Sequence, residues 1–161
     1  MAPAMEFFEA CRRNDVEKVS SMASEDPSLI NATDPRGFTP LILAVYNDAS
    51  DVVDLLLENG ADPSARDAAG NTALMGVCFK GYKDLAKKIL QTGVDVNQRN
   101  SNGATALTFA ATFGQLQIAE WLLEKGADIF IPDARGKSPL DHAHIQENEA
   151  MVALLLRYAS K

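Results

Sequence analysis

The strongest constraint on the fold of this chain is an internal repeat, because the sequence aligns with itself when it is shifted by the distance from Gly37 to Gly70. The aligned columns hold glycine (Gly37, Gly70, Gly103, Gly136), threonine or serine (Thr39, Thr72, Thr105, Ser138), leucine (Leu41, Leu74, Leu107, Leu140) and an acidic or amide residue (Asp34, Asp67, Asn100, Asp133). A later glycine, followed two residues on by aspartate, recurs at Gly60, Gly93 and Gly126. We expect no insertion in this register. A short repeat of this kind predicts small units that stack and bury each other's apolar faces.

Each unit carries the start and stop signals of two helices. Gly37 suits a tight turn that needs a positive φ or a close chain approach. Thr39 can cap the helix that follows, and Pro40 fits its first position. We therefore predict a first helix over about 40–47 and a second, rich in Val and Leu, that stops at Gly60. Because residues 41–46 are all apolar, the first helix has no polar side to face solvent. Adjacent units should therefore cover Leu41, Ala44 and Val45.

The motif D-x-x-G-x-T-P-L-x-x-A…L-L-L-x-x-G-A-D resembles the ankyrin repeat, and the resemblance covers essentially the whole chain. It implies an all-α solenoid of stacked helix-loop-helix units with short hairpin-like turns. We expect one domain over residues 1–161, with an N-terminal capping repeat at about 5–33, inner repeats at 34–66, 67–99 and 100–132, and a C-terminal capping repeat at 133–158. The first unit is placed in frame through Phe8, Cys11, Asp15 and Asn31, which puts Cys11 in the column of Ala44, Val77, Ala110 and Ala143.

One column departs from the resemblance. Ankyrin repeats often have His directly after the Leu of T-P-L-H, where it hydrogen-bonds the turn. Here the column holds Ile42, Met75, Thr108 and Asp141. We expect those hydrogen bonds to be lost or replaced.

Composition excludes several classes of function. The net charge of −7 disfavours nucleic-acid binding, which needs clustered Lys and Arg. No apolar run approaches the ~18 residues of a membrane span, and the N-terminus lacks the pattern of a secretory signal. The two cysteines, Cys11 and Cys78, should lie roughly 20 Å apart, beyond disulfide reach, which suits a reducing cytosol. We expect a cytoplasmic monomer that binds neither nucleic acid nor membrane.

The sequence holds no constellation of residues for catalysis. His142 and His144 are two residues apart and point to different helix faces, so they do not form a metal pair. The aspartates occur once per repeat and suit turn capping, whereas catalytic carboxylates must converge. No phosphate-binding G-x-x-x-x-G-K-[ST] loop occurs. We predict no catalytic, cofactor-binding or metal site, and no cofactor.

The resemblance implies a protein partner that lies along the turn tips and the first helices. We call this set the groove surface: residues 35, 36 and 38 with their equivalents in later repeats, the two residues that end each first helix, and the residue that closes each unit. Seven of the fifteen basic residues fall on it and no acidic residue does, and aromatic residues with Arg are typical of binding hot spots. The predicted partner-binding residues are Arg13, Arg36, Phe38, Tyr46, Arg66, Phe79, Lys80, Arg99, Phe113, Arg135 and Lys137, with Tyr46 held outward.

Other interpretations of these residues stay open at this point. Arg66 could pair with a nearby carboxylate such as Asp67, and Phe79 and Phe113 could fill gaps between first helices. Asn97 resembles a position that asparaginyl hydroxylases modify, although a turn hydrogen bond would also explain it. The second helices carry Asp, Glu and Lys and are expected to form a solvated face.

The predicted function is a non-catalytic protein–protein interaction module. Its concave groove would bind an acidic or amphipathic segment of a partner protein whose identity the sequence does not give. The alternative is a stabilising or regulatory subunit bound permanently to a larger enzyme. An enzyme acting on small molecules is disfavoured because no polar side chains converge.

Overall fold

The computed structural model describes residues 2–159, and within that range it contains ten α-helices, one short 3-10 helix and no β-strand. The α-helices are α1 (Pro3–Arg12), α2 (Val16–Glu25), α3 (Pro40–Tyr46), α4 (Ser50–Glu58), α5 (Ala73–Lys80), α6 (Lys83–Leu90), α7 (Ala106–Thr112), α8 (Leu116–Glu124), α9 (Pro139–Ile145) and α10 (Glu149–Ala159). The 3-10 helix spans Pro27–Asn31. Each unit supplies a first and a second helix, which confirms the predicted all-α solenoid.

The first helices of the repeats begin at their predicted caps. The Thr39 side chain accepts a hydrogen bond from the Ile42 N–H at 3.1 Å, and Thr72, Thr105 and Ser138 do the same one, two and three repeats later. Pro40 occupies the first position of α3, where its missing donor is not needed. The helix therefore starts where local chemistry satisfies its free N–H groups.

In the column where this chain departs from T-P-L-H, the structure shows two different replacements for the histidine. Thr108 and Asp141 replace the histidine, because each returns a side-chain hydrogen bond to the backbone N–H of the cap residue and completes a capping box. Ile42 and Met75 have no such group and are buried. The hydrogen bonds are thus replaced in two repeats and exchanged for apolar packing in the other two.

The apolar run of α3 is covered on almost every side. All residues from Pro40 to Val45 are buried, as predicted for Leu41, Ala44 and Val45. α3 packs against α1 of the preceding unit, α5 of the following unit and α4 of its own unit. A helix with neighbours on three sides needs no polar stripe, which explains the unbroken run.

The first unit does not keep the predicted frame. The Asp15 N–H donates to the Ala10 carbonyl at 3.0 Å, and in the next unit the Ala49 N–H donates to the Ala44 carbonyl at 2.8 Å. These two bonds are equivalent, so Ala10 corresponds to Ala44. The distance along the chain between Ala10 and Ala44 is one residue longer than the repeat spacing. Asn31 nevertheless lies two full repeat spacings before Asn97, which makes the same contacts. The extra residue therefore lies in 26–31, around the 3-10 helix. The placement of Cys11 with Ala44 was wrong; Ala10 is the equivalent residue.

Both cysteines are buried free thiols. Burial raises the pKa of both, that of Cys11 to about 12, although the nearby Arg12 opposes the shift there. A thiol that stays protonated is a poor nucleophile. Both cysteines therefore act as small apolar side chains of the core.

None of the helices within residues 2–159 is long and apolar enough to cross a membrane.

Candidate interaction surface

The turn tips of the groove surface are built by side-chain caps. Asp34 Oδ1 accepts hydrogen bonds from the N–H groups of Arg36 and Phe38, both at 2.9 Å. The equivalent oxygens of Asp67, Asn100 and Asp133 each accept two N–H groups in the same pattern. These residues are turn caps, as the sequence predicted, and they hold each tip in one conformation.

Neighbouring tips are joined to each other by hydrogen bonds. The Ser101 N–H donates to the Ala69 carbonyl at 3.0 Å, and the Ala134 N–H donates to Asn102 at 2.8 Å. Asn100 Nδ2 adds a bond to Asn71 Oδ1 at 2.8 Å. The tips of the last three repeats thus form a continuous, hydrogen-bonded row.

Two arginines of the predicted site join repeats to each other. The Arg66 guanidinium donates to the Arg99 carbonyl one repeat later. Arg99 repeats this contact with Pro132 O at 2.6 Å, and its Nε donates to Gly103 O at 3.1 Å. Neither side chain pairs with Asp67 or any other carboxylate of residues 2–159. Their charges stay exposed and uncompensated, while several of their donors are taken up by the fold.

Replacing Arg99 by alanine is expected to lower the free energy of unfolding by about 1–2 kcal/mol, because two charge-assisted hydrogen bonds to backbone carbonyls are lost at an exposed position. Urea unfolding measures the change. Arg135→Ala is the matched control, since the Arg135 side chain makes no hydrogen bond or ion pair within the described chain, and its effect should stay below about 0.5 kcal/mol. If the two substitutions lowered the free energy of unfolding equally, Arg99 would not have the structural role assigned to it.

The other basic residues of the surface differ in how far they are paired. Arg13 lies 3.9 Å from Glu9, and Arg36 lies 3.8 Å from Asp34 and over the Phe38 ring at 4.9 Å. The side chains of Lys80, Arg135 and Lys137 are exposed and form no salt bridge with residues 2–159. These three remain available to a negatively charged ligand group.

Phe79 and Phe113 form an exposed aromatic pair across two repeats. Their ring centroids are 4.9 Å apart with an interplanar angle of 84°, the favoured edge-to-face arrangement. The two residues nevertheless keep 46% and 47% of their surface accessible, respectively. The two rings therefore fill the gap between first helices, as one interpretation held, and still present about half of their area to solvent.

Tyr46 is less outward than expected. It is half-buried, lies edge-on to Phe38 at 6.3 Å, and covers Gly76, where an added Cβ would sit 3.4 Å from the tyrosine ring. Burial, with a smaller contribution from the charge of Asp67, raises the pKa of its hydroxyl. Tyr46 is chiefly a cover for the neighbouring repeat and is only partly exposed.

The prediction of site residues passed over Ile145, which is 56% exposed in the column of Tyr46 and Phe79. The sequence placed it at a helix end of the groove surface, but selection for aromatic and basic residues excluded an aliphatic side chain. Selection by column position alone, without regard to residue type, would have included Ile145. Ile145 is an exposed apolar side chain at the equivalent helix end of the last repeat.

His142 and Asp133 form a hydrogen bond at 2.8 Å, in which His142 Nε2 must be the donor when the carboxylate is ionised. Burial pushes the pKa of Asp133 upward, but this bond and the N–H groups of Lys137 and Arg135 outweigh it and leave the pKa below its ordinary value. The pair links helix α9 to its own tip. His144 lies apart on an exposed surface, so the two histidines do not converge.

The lowered pKa of Asp133 predicts a pH-dependent contribution to stability. A carboxyl whose folded pKa is depressed stabilises the fold above its unfolded pKa of about 3.9 and loses that effect as pH falls through the folded pKa. Asp133→Asn keeps the turn cap, as Asn100 shows in the preceding repeat. We expect this variant to be less stable than wild type at pH 6, and the difference to shrink towards pH 3, as measured by urea unfolding. A constant difference would contradict the assignment.

Asn97 makes hydrogen bonds that join two repeats, whereas the alternative to hydroxylation was a bond within its own turn. Its Nδ2 donates to Gly126 O at 3.2 Å, and its Oδ1 accepts from the Asp128 N–H at 2.9 Å.

On the second helices, Lys88 pairs with Asp54 at 2.8 Å and Lys87 lies 4.9 Å over the Trp121 ring. Part of the charge expected to be merely solvated therefore connects neighbouring repeats.

No three His, Cys, Asp or Glu side chains within residues 2–159 are grouped so that they could hold a metal ion. The groove surface instead combines a rigid row of tips, an aromatic pair and three accessible cations. Such a surface can bind an extended or helical segment of another macromolecule by apolar contact and charge.

Comparison with known proteins gives two matching family models. One, described as "Ankyrin repeats (3 copies)", matches residues 74–161, and the other, described as "Ankyrin repeats (many copies)", matches residues 22–75. The chain is also 44% identical over 57 residues to the BTB/POZ domain-containing protein 3 of Schizosaccharomyces pombe (strain 972 / ATCC 24843). That similarity covers 35% of this chain and 11% of the relative, so the chain spans only a small part of the relative's length.

Proposed function

The chain belongs to the ankyrin repeat family, whose members are generally non-catalytic protein–protein interaction modules, and we propose that it binds a partner protein through the groove surface. The bound segment is amphipathic and acidic. Its apolar side chains contact Phe79, Phe113 and Ile145, and its carboxylates lie near the accessible cations of the turn tips and of Lys80.

The half-exposed pair of Phe79 and Phe113 is the observation that carries this proposal. Exposed aromatic area is unfavourable in water and is reduced when a partner covers it. The pair is held by contact between its own rings, so little side-chain freedom is lost on binding. Rigid aromatic anchors of this kind are typical of the residues that dominate binding energy.

The sign of the charge supports an acidic ligand. Lys80 directly follows Phe79, and Arg135 and Lys137 lie on the last tip. Arg66 and Arg99 add positive potential along the row of tips even though their donors are partly used. A chain with a net charge of −7 that keeps such a region positive would repel acidic segments elsewhere and attract them here.

We further propose that residues 1–161 form a single domain that acts in the cytoplasm as a monomer. The unbroken succession of stacked repeats supports one domain. The two free, buried thiols are compatible with a reducing compartment.

A pull-down from the source organism, followed by affinity measurement with the captured partner, tests the groove surface. Phe79→Ala with Lys80→Glu should weaken binding by roughly tenfold or more, which corresponds to about 1.4 kcal/mol. Arg66 and Arg99 are left unchanged, because their loss would disturb the stacking of repeats.

The matched control is Leu116→Ala with Lys83→Glu on the second helices. Leu116 is an exposed apolar residue and Lys83 an exposed cation, so the truncation and the charge change are of the same kind. If both double variants bind the partner with equal affinity, or if the control lowers the affinity more, the interface does not lie on the groove surface.

A further inference from the structure

The last repeat presents to solvent a face that the two preceding repeats bury. Leu90 and Leu123, on α6 and α8, are 6% and 5% exposed, whereas Leu156 at the equivalent position of α10 is 50% exposed. Val152 is partly exposed, although its equivalents Ala86 and Ala119 are fully buried. We call this the end face.

Val152 and Leu156 give the end face an apolar content that a solvated cap does not need. Phe130, although 60% exposed, is not part of this face. It occupies the column of Asn31 and Asn97, whose amides hydrogen-bond the following unit, so it lies on the side of the last unit itself.

Carboxylates border this apolar area. A cavity of about 330 Å³ is lined by His144, Glu147, Asn148, Glu149, Val152 and Leu156, together with Ala153. Its acidic side chains are those of Glu147 and Glu149, and no Lys or Arg contributes to the lining. The exposed Asp141 lies in a column that is buried in the three inner repeats, so it adds a third carboxylate to the end face.

The inner repeats indicate what shape fits such a face. There the equivalent surfaces receive helices: α7 packs against α9, and α8 packs against α10. The end face continues this interface with no helix of residues 2–159 on it. A second copy joined end face to end face would bring Glu147 and Glu149 close to the same carboxylates of its partner, which is unfavourable without compensating cations.

We propose that the end face docks a basic amphipathic helix of a partner protein. The apolar side of that helix covers Leu156 and Val152, and its Lys or Arg side chains pair with Glu147 and Glu149. This site is separate from the groove surface and takes a ligand of opposite charge, so either proposal can fail without the other.

The probe is a synthetic helix-forming peptide of about 15 residues that has Leu on one face of the helix and Lys on the opposite face. In a second peptide, Glu replaces every Lys. Fluorescence anisotropy at physiological salt gives the affinity of each. The Lys peptide should bind and the Glu peptide should not. Glu147→Lys with Glu149→Lys should weaken the Lys peptide by roughly tenfold or more.

Two matched controls separate the site from overall charge. Glu120→Lys with Glu124→Lys on α8 makes the same change in net charge, and should weaken binding by less than about threefold. Leu156→Ser should weaken binding, whereas Leu116→Ser, an exposed leucine of α8, should not. Circular dichroism checks that each variant keeps its helical content.

Three results would overturn the proposal. Equal weakening by both pairs of charge reversals would mean that net charge alone holds the peptide. Weakening by Phe79→Ala with Lys80→Glu, and not by the end-face variants, would place the peptide on the groove surface. Sedimentation that shows a dimer of the chain, abolished by Leu156→Ser, would assign the end face to self-association.

Discussion

Replacing Leu107 by alanine is expected to lower the free energy of unfolding by about 2–5 kcal/mol. Leu107 is fully buried in α7, which packs against α5, α8 and α9. Removing its side chain loses apolar burial and leaves a cavity that helices fixed on three sides cannot readily close. That loss is a large part of the total stability of an ordinary domain, about 5–15 kcal/mol.

Urea unfolding followed by circular dichroism measures this effect, with Leu116→Ala as the control. Leu116 lies on α8 in the same repeat and is 40% exposed, so its truncation should cost less than about 1 kcal/mol. Because stacked repeats interact mainly with their neighbours, the Leu107 variant should also show a broader transition as the last repeats unfold before the others. Similar losses for the two variants would contradict the packing assigned to Leu107.

Replacing Gly70 by alanine is expected to cost about 3 kcal/mol, from two separate causes. Gly70 has a φ of +80°, a region that costs an L-residue about 1–2 kcal/mol. In addition, a Cβ at this position would lie 2.8 Å from the backbone nitrogen of Ser101 in the next tip. The tips would have to separate, which disturbs the hydrogen bond from the Ser101 N–H to Ala69.

Gly136→Ala separates these two causes. Gly136 has the same role in the last tip with a φ of +78°, but an added Cβ there meets no atom within 4 Å. Its substitution should cost only the backbone strain, about 1–2 kcal/mol. Thermal unfolding of both variants measures the difference. If Gly70→Ala were no worse than Gly136→Ala, close packing of the tips would not be the reason for glycine in this column.

The sequence predicted the repeated fold closely because its signals are local and recur in the four repeats from Asp34 onward. A threonine or serine before each first helix, a glycine at each tip and a leucine in each core column specify their structure within a few residues of themselves. The first unit lacks these signals at its first helix, where Ala2 provides no side-chain cap, and its helices were misplaced by one residue. Its signals are degenerate, and the extra residue near Pro27 is absorbed in a 3-10 turn that spacing alone did not reveal.

The candidate site was predicted less well, because surface chemistry depends on which atoms of other repeats are near. The sequence assigned Arg66, Arg99, Phe79 and Phe113 to the groove surface from their columns, and their role in binding stays a prediction. Which arginines donate to carbonyls, how much of each ring is exposed, and that Tyr46 covers Gly76 are set by the side chains and tips one repeat away.

By itself, the sequence thus determined the units, their order and the residues that cap and fill them, since each depends on backbone geometry within a single repeat. Only the tertiary structure decided which charges remain accessible and where apolar area stays uncovered, as at Phe79, Ile145 and Leu156. The physical reason is that burial is a property of neighbours. Leu123 and Leu156 occupy the same column, and they differ in exposure because a further helix pair of residues 2–159 packs over Leu123 and none of these residues packs over Leu156 in the same way.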